Sequence, residues 1–182
     1  MDNAERRMTT GRQTVEPHED ENNVYVNGFV IPKGNSQEDK NKREEETRKM
    51  YDIWCAENTS NFQYNKSLKD TITLENTSVS LGKVINITRV SYISTLAFYY
   101  LDYVLQNAQE LKIKGKGKTK PTSKAQQELA RGGGYMQELE TKHINNPFIK
   151  SIKLMIAVRR NGNKFMYSLS AIEAKSGRRN GK

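Results

Sequence analysis

Two apolar runs of period two, on either side of one Asn-Gly pair, constrain the fold of this chain more than any other feature. Ile152–Arg160 and Asn163–Ile172 alternate apolar and polar residues, with Asn161-Gly162 between them. Asn and Gly both tolerate the positive φ of a type I′ turn, so the pair predicts a tight β-hairpin. In that register Val158 faces Phe165, Ile156 faces Tyr167 and Leu154 faces Leu169. The resulting apolar face has to cover a helix or another strand. On the opposite face Arg159 sits across from Lys164, and two like charges at a hairpin tip favour an anionic ligand over it.

The element best suited to that cover is a helix from about Ser91 to about Leu111. Ser91 or Ser94 supplies an N-cap, and Ile93, Leu96, Ala97, Tyr100, Leu101, Val104, Leu105 and Ala108 form a continuous apolar stripe. Tyr92, Tyr99 and Tyr103 flank the stripe and read as the edge of the core. A second helix starts at Gln37, with Glu44/Arg48 and Glu45/Lys49 spaced i,i+4. It is anchored near its end by Met50, Ile53 and Trp54 and stops around Asn58–Asn61. Thr71–Glu75 alternates as a strand does. Val79–Ile87 is compatible with a strand or a short helix. Ser123–Ala130 and Tyr135–Thr141 read as short helices either side of Gly132–Gly134.

Between the main helix and the hairpin lies Lys112-Ile113-Lys114-Gly115-Lys116-Gly117-Lys118-Thr119-Lys120-Pro121. Two glycines and a proline among five lysines suit neither helix nor strand, so this is a basic loop. It belongs to a charge gradient. The chain of 182 residues has a formal net charge of +9, yet its first hundred residues carry more acidic than basic side chains. Residues 151–182 alone hold eight basic side chains and one acidic one. Clustered positive charge is what a phosphate backbone selects, through release of condensed counterions.

Other functional classes fit poorly. One cysteine and two histidines cannot build a zinc cage or a catalytic triad. Gly115-Lys116-Gly117-Lys118-Thr119 ends like a Walker A loop but lacks the spaced upstream glycine, and a helix precedes it. No run is long and apolar enough to span a bilayer, and nothing apolar follows Met1–Arg7, so a soluble, intracellular protein without membrane contact is expected. Glu173-Ala174-Lys175 matches the Glu-x-Lys half of a restriction-type nuclease site, without an acidic partner on the neighbouring strand. The order strand, short helix, capped helix over residues 71–110 resembles a ribbon-helix-helix unit, on element order alone.

The reading is an α+β protein with one small core, built on a long amphipathic helix and a C-terminal β-hairpin. A disordered N-terminal arm and a basic C-terminal tail flank it. Residues 1–36 are the arm, with an apolar docking segment at 24–31. Residues 37–172 are the domain, interrupted by a basic loop at 112–124, and 173–182 are the tail. The expected function is non-catalytic binding of DNA or RNA, with no cofactor or metal. Lys112, Lys114, Lys116, Lys118, Lys120 and Lys124 grip phosphates, and Arg159, Arg160, Lys164, Arg178 and Arg179 extend the surface. A second reading is a self-associating structural or assembly protein, such as a nucleocapsid or coat subunit, in which residues 24–31 dock on a neighbour and the basic half faces packaged nucleic acid. A third is a metal-dependent nuclease using Glu173 and Lys175.

Overall fold

The computed structural model describes residues 17–75, 78–111, 118–142 and 144–175. In chain order the strands are β1 (His18–Glu19), β2 (Asn23–Val26) and β3 (Phe29–Pro32), followed by helix α1 (Gln37–Glu57). Next come β4 (Phe62–Asn65), β5 (Asp70–Thr73), α2 (Ser78–Thr88), α3 (Tyr92–Phe98) and α4 (Leu101–Asn107). The remainder is β6 (Gln109–Glu110), β7 (Lys118–Thr119), α5 (Lys124–Arg131), β8 (Tyr135–Thr141), β9 (Ile149–Val158) and β10 (Lys164–Glu173). The class is α+β. Strands β1–β3 form a small antiparallel sheet, and the rest form a strongly curled mixed half-barrel in the order β4-β5-β10-β9-β8-β6. Only the β5–β10 pairing is parallel among the described strands.

The C-terminal hairpin forms, but with a different turn. Gly162 N–H donates to Arg159 O at 2.8 Å and Arg159 N–H to Asn163 O at 2.9 Å. Gly162 takes φ +89°, while Asn161 stays on the negative side. This is a three-residue loop whose glycine closes a bulge. Val158 therefore pairs with Lys164, Ala157 with Phe165 and Ile156 with Met166, one residue off the expected register. An irregularity between Met166 and Ser168 restores the parity, and Leu154 does face Leu169. The two-residue Asn-Gly turn occurs instead at Asn27-Gly28, with φ 45° and 84°, joining β2 to β3.

That N-terminal hairpin is no free arm. Val24, Val26 and Ile31 are buried in the same cluster as the inner face of the large sheet. The buried Glu46 carboxylate accepts the Val30 N–H at 3.0 Å, fixing β3 to α1. The apolar side chains of Val24, Val26 and Ile31 are thus buried within their own chain.

Two helical expectations fail. The helix expected from Ser91 to Leu111 is two helices, broken where Tyr99 and Tyr100 N–H groups bond back only three residues, to Leu96 and Ala97. Both tyrosine rings are buried and perpendicular, 5.2 Å apart, and Tyr100 Oη accepts from Asn146 Nδ2 at 2.9 Å. Tyr135–Thr141 is a strand, because β9 offers it a complete antiparallel partner and tertiary pairing overrides its helix-forming residues. The ribbon-helix-helix resemblance also fails. Its strand, β5, is bonded on one edge by β4 and on the other by β10, leaving none for a second copy.

Helix α1 spans the expected range, opened by a Ser36–Asp39 capping box and closed at Asn58. It is buried from Arg43 onward, through Glu46, Thr47, Met50, Tyr51 and Trp54, while Ile53 faces out. Ile72, Leu139, Ile152, Leu154, Ile156, Val158 and Leu169 make the inner sheet face that the helices cover. No helix among the described residues is long and apolar enough to cross a membrane.

Candidate nucleic-acid interface

Strand direction gathers several connections at one end of the large sheet. Strand β5 begins beside the start of β10, Ile72 lying next to Lys164. Strand β8 begins where β9 ends, with Tyr135 opposite Val158, and Thr119 lies opposite Met136. The β4–β5 turn, the β9–β10 turn, the Gly132–Gly134 turn and the residues after β7 therefore form one rim. They carry Lys66 and Lys69, Arg159 and Arg160, the adjacent Arg131, and Lys120.

Each turn is held by specific groups. Buried Asn65 accepts the N–H groups of Ser67 and Leu68 at 3.0 and 2.8 Å and donates to Leu105 O and Ala108 O at 2.8 and 2.9 Å. The Lys66–Lys69 turn is thereby pinned to α4, with Lys69 in the left-handed region at φ 52°. At Gly134 an added Cβ would stand 2.6 Å from Val158 O and 2.7 Å from Leu129 Cδ1, so the helix can return to the sheet only through glycine. The Arg160 stem lies on Gly133, which takes φ +84°.

Not all rim cations are equally available. Arg159 pairs with Glu75 and lays its guanidinium over the Phe165 ring, 4.0 Å from the centroid. Lys164 pairs with Asp70 at 2.6 Å, and that bond, with one from Thr71 N–H, holds the Asp70 carboxyl below the usual carboxylate range. The expected opposition of Arg159 and Lys164 is absent, since Arg159 bonds Asn163 and each cation has its own acid. By contrast Lys66, Lys69, Lys120, Arg131 and Arg160 are exposed and form no ion pair among the described residues. Between α5 and the hairpin tip an open groove of about 650 Å³ runs past Glu128, Leu129, Gly134, Arg159, Arg160 and Asn161.

Of the residues expected from sequence, Lys120, Lys124, Arg159, Arg160 and Lys164 fall at or near this rim. Lys112, Lys114, Lys116, Arg178 and Arg179 lie outside the described residues, as does the side chain of Lys118. The edge they flank is informative. Gln109 and Glu110 pair with Glu140 and Leu139, and Leu111 N–H donates to Glu138 O at 3.4 Å. Lys118 and Thr119 then pair with Gln137 and Met136. Strand β8 thus pairs on this edge with residues from both sides of 112–117, first 109–111 and then 118–119. Lys66, Lys69 and Arg131 escape a sequence reading because they are isolated along the chain. Phe62-Gln63-Tyr64, alternating just before a lysine-bearing turn, was the available hairpin signal.

Glu173 accepts the Tyr92 hydroxyl, while burial and that bond raise the tyrosine's pKa above its ordinary value. Among the described residues no group of three His, Cys, Asp or Glu side chains could hold a metal ion. In comparisons with known proteins, no family model, curated protein or solved structure matches the chain.

Proposed function

We propose that this protein binds nucleic acid without catalysis, gripping phosphates along the turn end of its curled sheet. The observation that carries the reading is the convergence on one rim, from separate connections, of exposed cations that have no carboxylate partner among the described residues. A surface serving solubility alone would intersperse both signs. Of the acids at this end, Asp70 and Glu75 are occupied by Lys164 and Arg159, while Glu128 lines the groove beside Arg160 as the exception. Leu111 and Lys118, on either side of the lysine-rich segment, both bond to β8. Cations borne on turns follow a phosphate backbone without entering a groove to read bases, so affinity exceeds sequence preference.

The test is a combined Lys66→Gln, Lys69→Gln, Lys120→Gln, Arg160→Gln variant, titrated against labelled oligonucleotides of unrelated sequence. Affinity falls alike for all of them. On duplex the slope of log K against log salt becomes shallower by ~0.9 for each phosphate the variant no longer neutralises. Unchanged affinity would remove this rim from the interface.

A further inference from the structure

Beyond the rim, the outer face of the sheet presents a second kind of surface. The register places Phe62, Thr73, Phe165, Ala157 and Met136 in one cross-strand row on the face opposite the core. Helix α5 covers the β8 side of this face. Its Leu129 sits over Gly134, and the Ser123 cap lies 3.5 Å from Tyr167 Oη. Among the described residues the β4 side has no such cover: Phe62 is 47% exposed and Tyr64 is 54% exposed. These are the two aromatic side chains among the exposed large hydrophobics of the described residues, and they project from the same face of one strand. The residues directly across from them are Thr73 and Thr71, too small to lean over either ring. Phe165, in the same row, already has its face taken by Arg159.

We propose that this uncovered face of β4 and β5 is a stacking platform for single-stranded nucleic acid, with Phe62 and Tyr64 receiving bases and Lys66 and Lys69 receiving phosphates. The inference rests on the nucleic-acid reading above and narrows it to a form. A duplex presents only the edges of its bases, so ring faces can be engaged only by unpaired, splayed nucleotides. Side chains at i and i+2 of a strand stand roughly 6.8 Å apart, about twice the ~3.4 Å rise per base of a stacked strand. Each ring therefore takes a separate base. Charge complementarity fixes the occupant: the turn that follows Tyr64 carries two exposed lysines, suited to phosphates and unsuited to an apolar protein partner. Stacking tolerates any base, which agrees with an interface that reads no sequence.

The experiment compares the full chain with a Phe62→Ala, Tyr64→Ala variant on two probes, a fluorescein-labelled oligothymidylate and a duplex of equal length. Both side chains are exposed, and an unchanged urea midpoint establishes that the variant is folded. Affinity for the single strand drops about ten-fold or more per ring, while duplex affinity stays within error. Tyr64→Phe, which keeps the ring, retains single-strand binding. Equal losses on both probes, no loss on either, or a Tyr64→Phe variant as weak as Tyr64→Ala would each overturn the platform. So would loss of a self-associated form in light scattering with oligonucleotide affinity unchanged, which would assign the face to a second copy. Wild type that binds both probes equally and loses both with the rim variant refutes this inference alone. Wild type that binds neither refutes the nucleic-acid reading itself.

Discussion

Replacing Arg43 by methionine tests the packing logic at its most demanding point. Arg43 is fully buried on α1. It donates to the carbonyls of Pro32 at 2.7 Å, Gly34 at 2.6 Å and Arg89 at 2.7 Å, with a longer bond to Val90 O at 3.4 Å. Two of those carbonyls close the N-terminal hairpin and two follow α2, so a single side chain ties three parts of the fold together. Burial pushes its pKa below the ordinary arginine value, because a guanidinium among carbonyls has given up most of its water. Methionine has a similar volume, so little cavity opens, but every donor is removed. Each buried carbonyl left without a partner costs ~1–3 kcal/mol. Relief of the guanidinium's own desolvation offsets part of the sum over three close acceptors, leaving a net loss of roughly 3–5 kcal/mol. For a domain of this size that lowers Tm by about 6–20 °C. Trp54, the sole tryptophan, is buried and reports urea unfolding by fluorescence. A loss under ~1 kcal/mol would refute the reasoning, by showing that water replaces the arginine at those carbonyls.

Other perturbations discriminate further. Gly134→Ala forces a Cβ against the Val158 carbonyl and destabilises the fold to urea by about 1–3 kcal/mol, whereas Gly28→Ala, at φ +84° with open space, loses roughly 1 kcal/mol from backbone strain alone. Equal losses would contradict the close approach at Gly134. The Asp70 carboxyl is depressed in the folded protein, so its contribution is present above the unfolded value near ~3.9 and fades as pH falls through the lower folded value. Asp70→Asn therefore flattens the acid limb of stability measured by urea midpoints, and by under ~1 kcal/mol, since the group is half-exposed. Asn65→Ala frees the Lys66–Lys69 turn and leaves two carbonyls unpaired. Both stability and single-strand affinity drop, and unchanged affinity would separate the turn from binding.

How far the sequence disclosed this structure depended on what fixed each element. The hairpin strands, α1 and β5 were legible because alternation, i,i+4 charge pairs and turn residues act locally. The hairpin register was not, because one residue decided between Asn161 entering the left-handed region and Gly162 doing so alone. Tyr135–Thr141 reads as helix in isolation and becomes strand only through β9. The break at Tyr99-Tyr100 follows from two rings needing separate partners, Asn27 and Asn146, from distant segments. The same holds for the candidate site. The lysine run was visible as composition, whereas the rim exists only because parallel pairing of β5 with β10 brings the Lys66–Lys69 turn to the same end of the sheet as the β9–β10 turn. Arg159 and Lys164 looked available in sequence and are occupied in the fold.

The most direct test of the central claim is a salt titration of wild-type binding to single-stranded and duplex oligonucleotides of equal length. Affinity is expected to fall linearly in log K against log salt, with a slope of ~0.7 per neutralised phosphate on single strands and ~0.9 on duplex, and the single strand to bind more tightly at any given salt. Absence of binding at low salt, or affinity indifferent to salt, would contradict it and leave the basic rim without a phosphate partner.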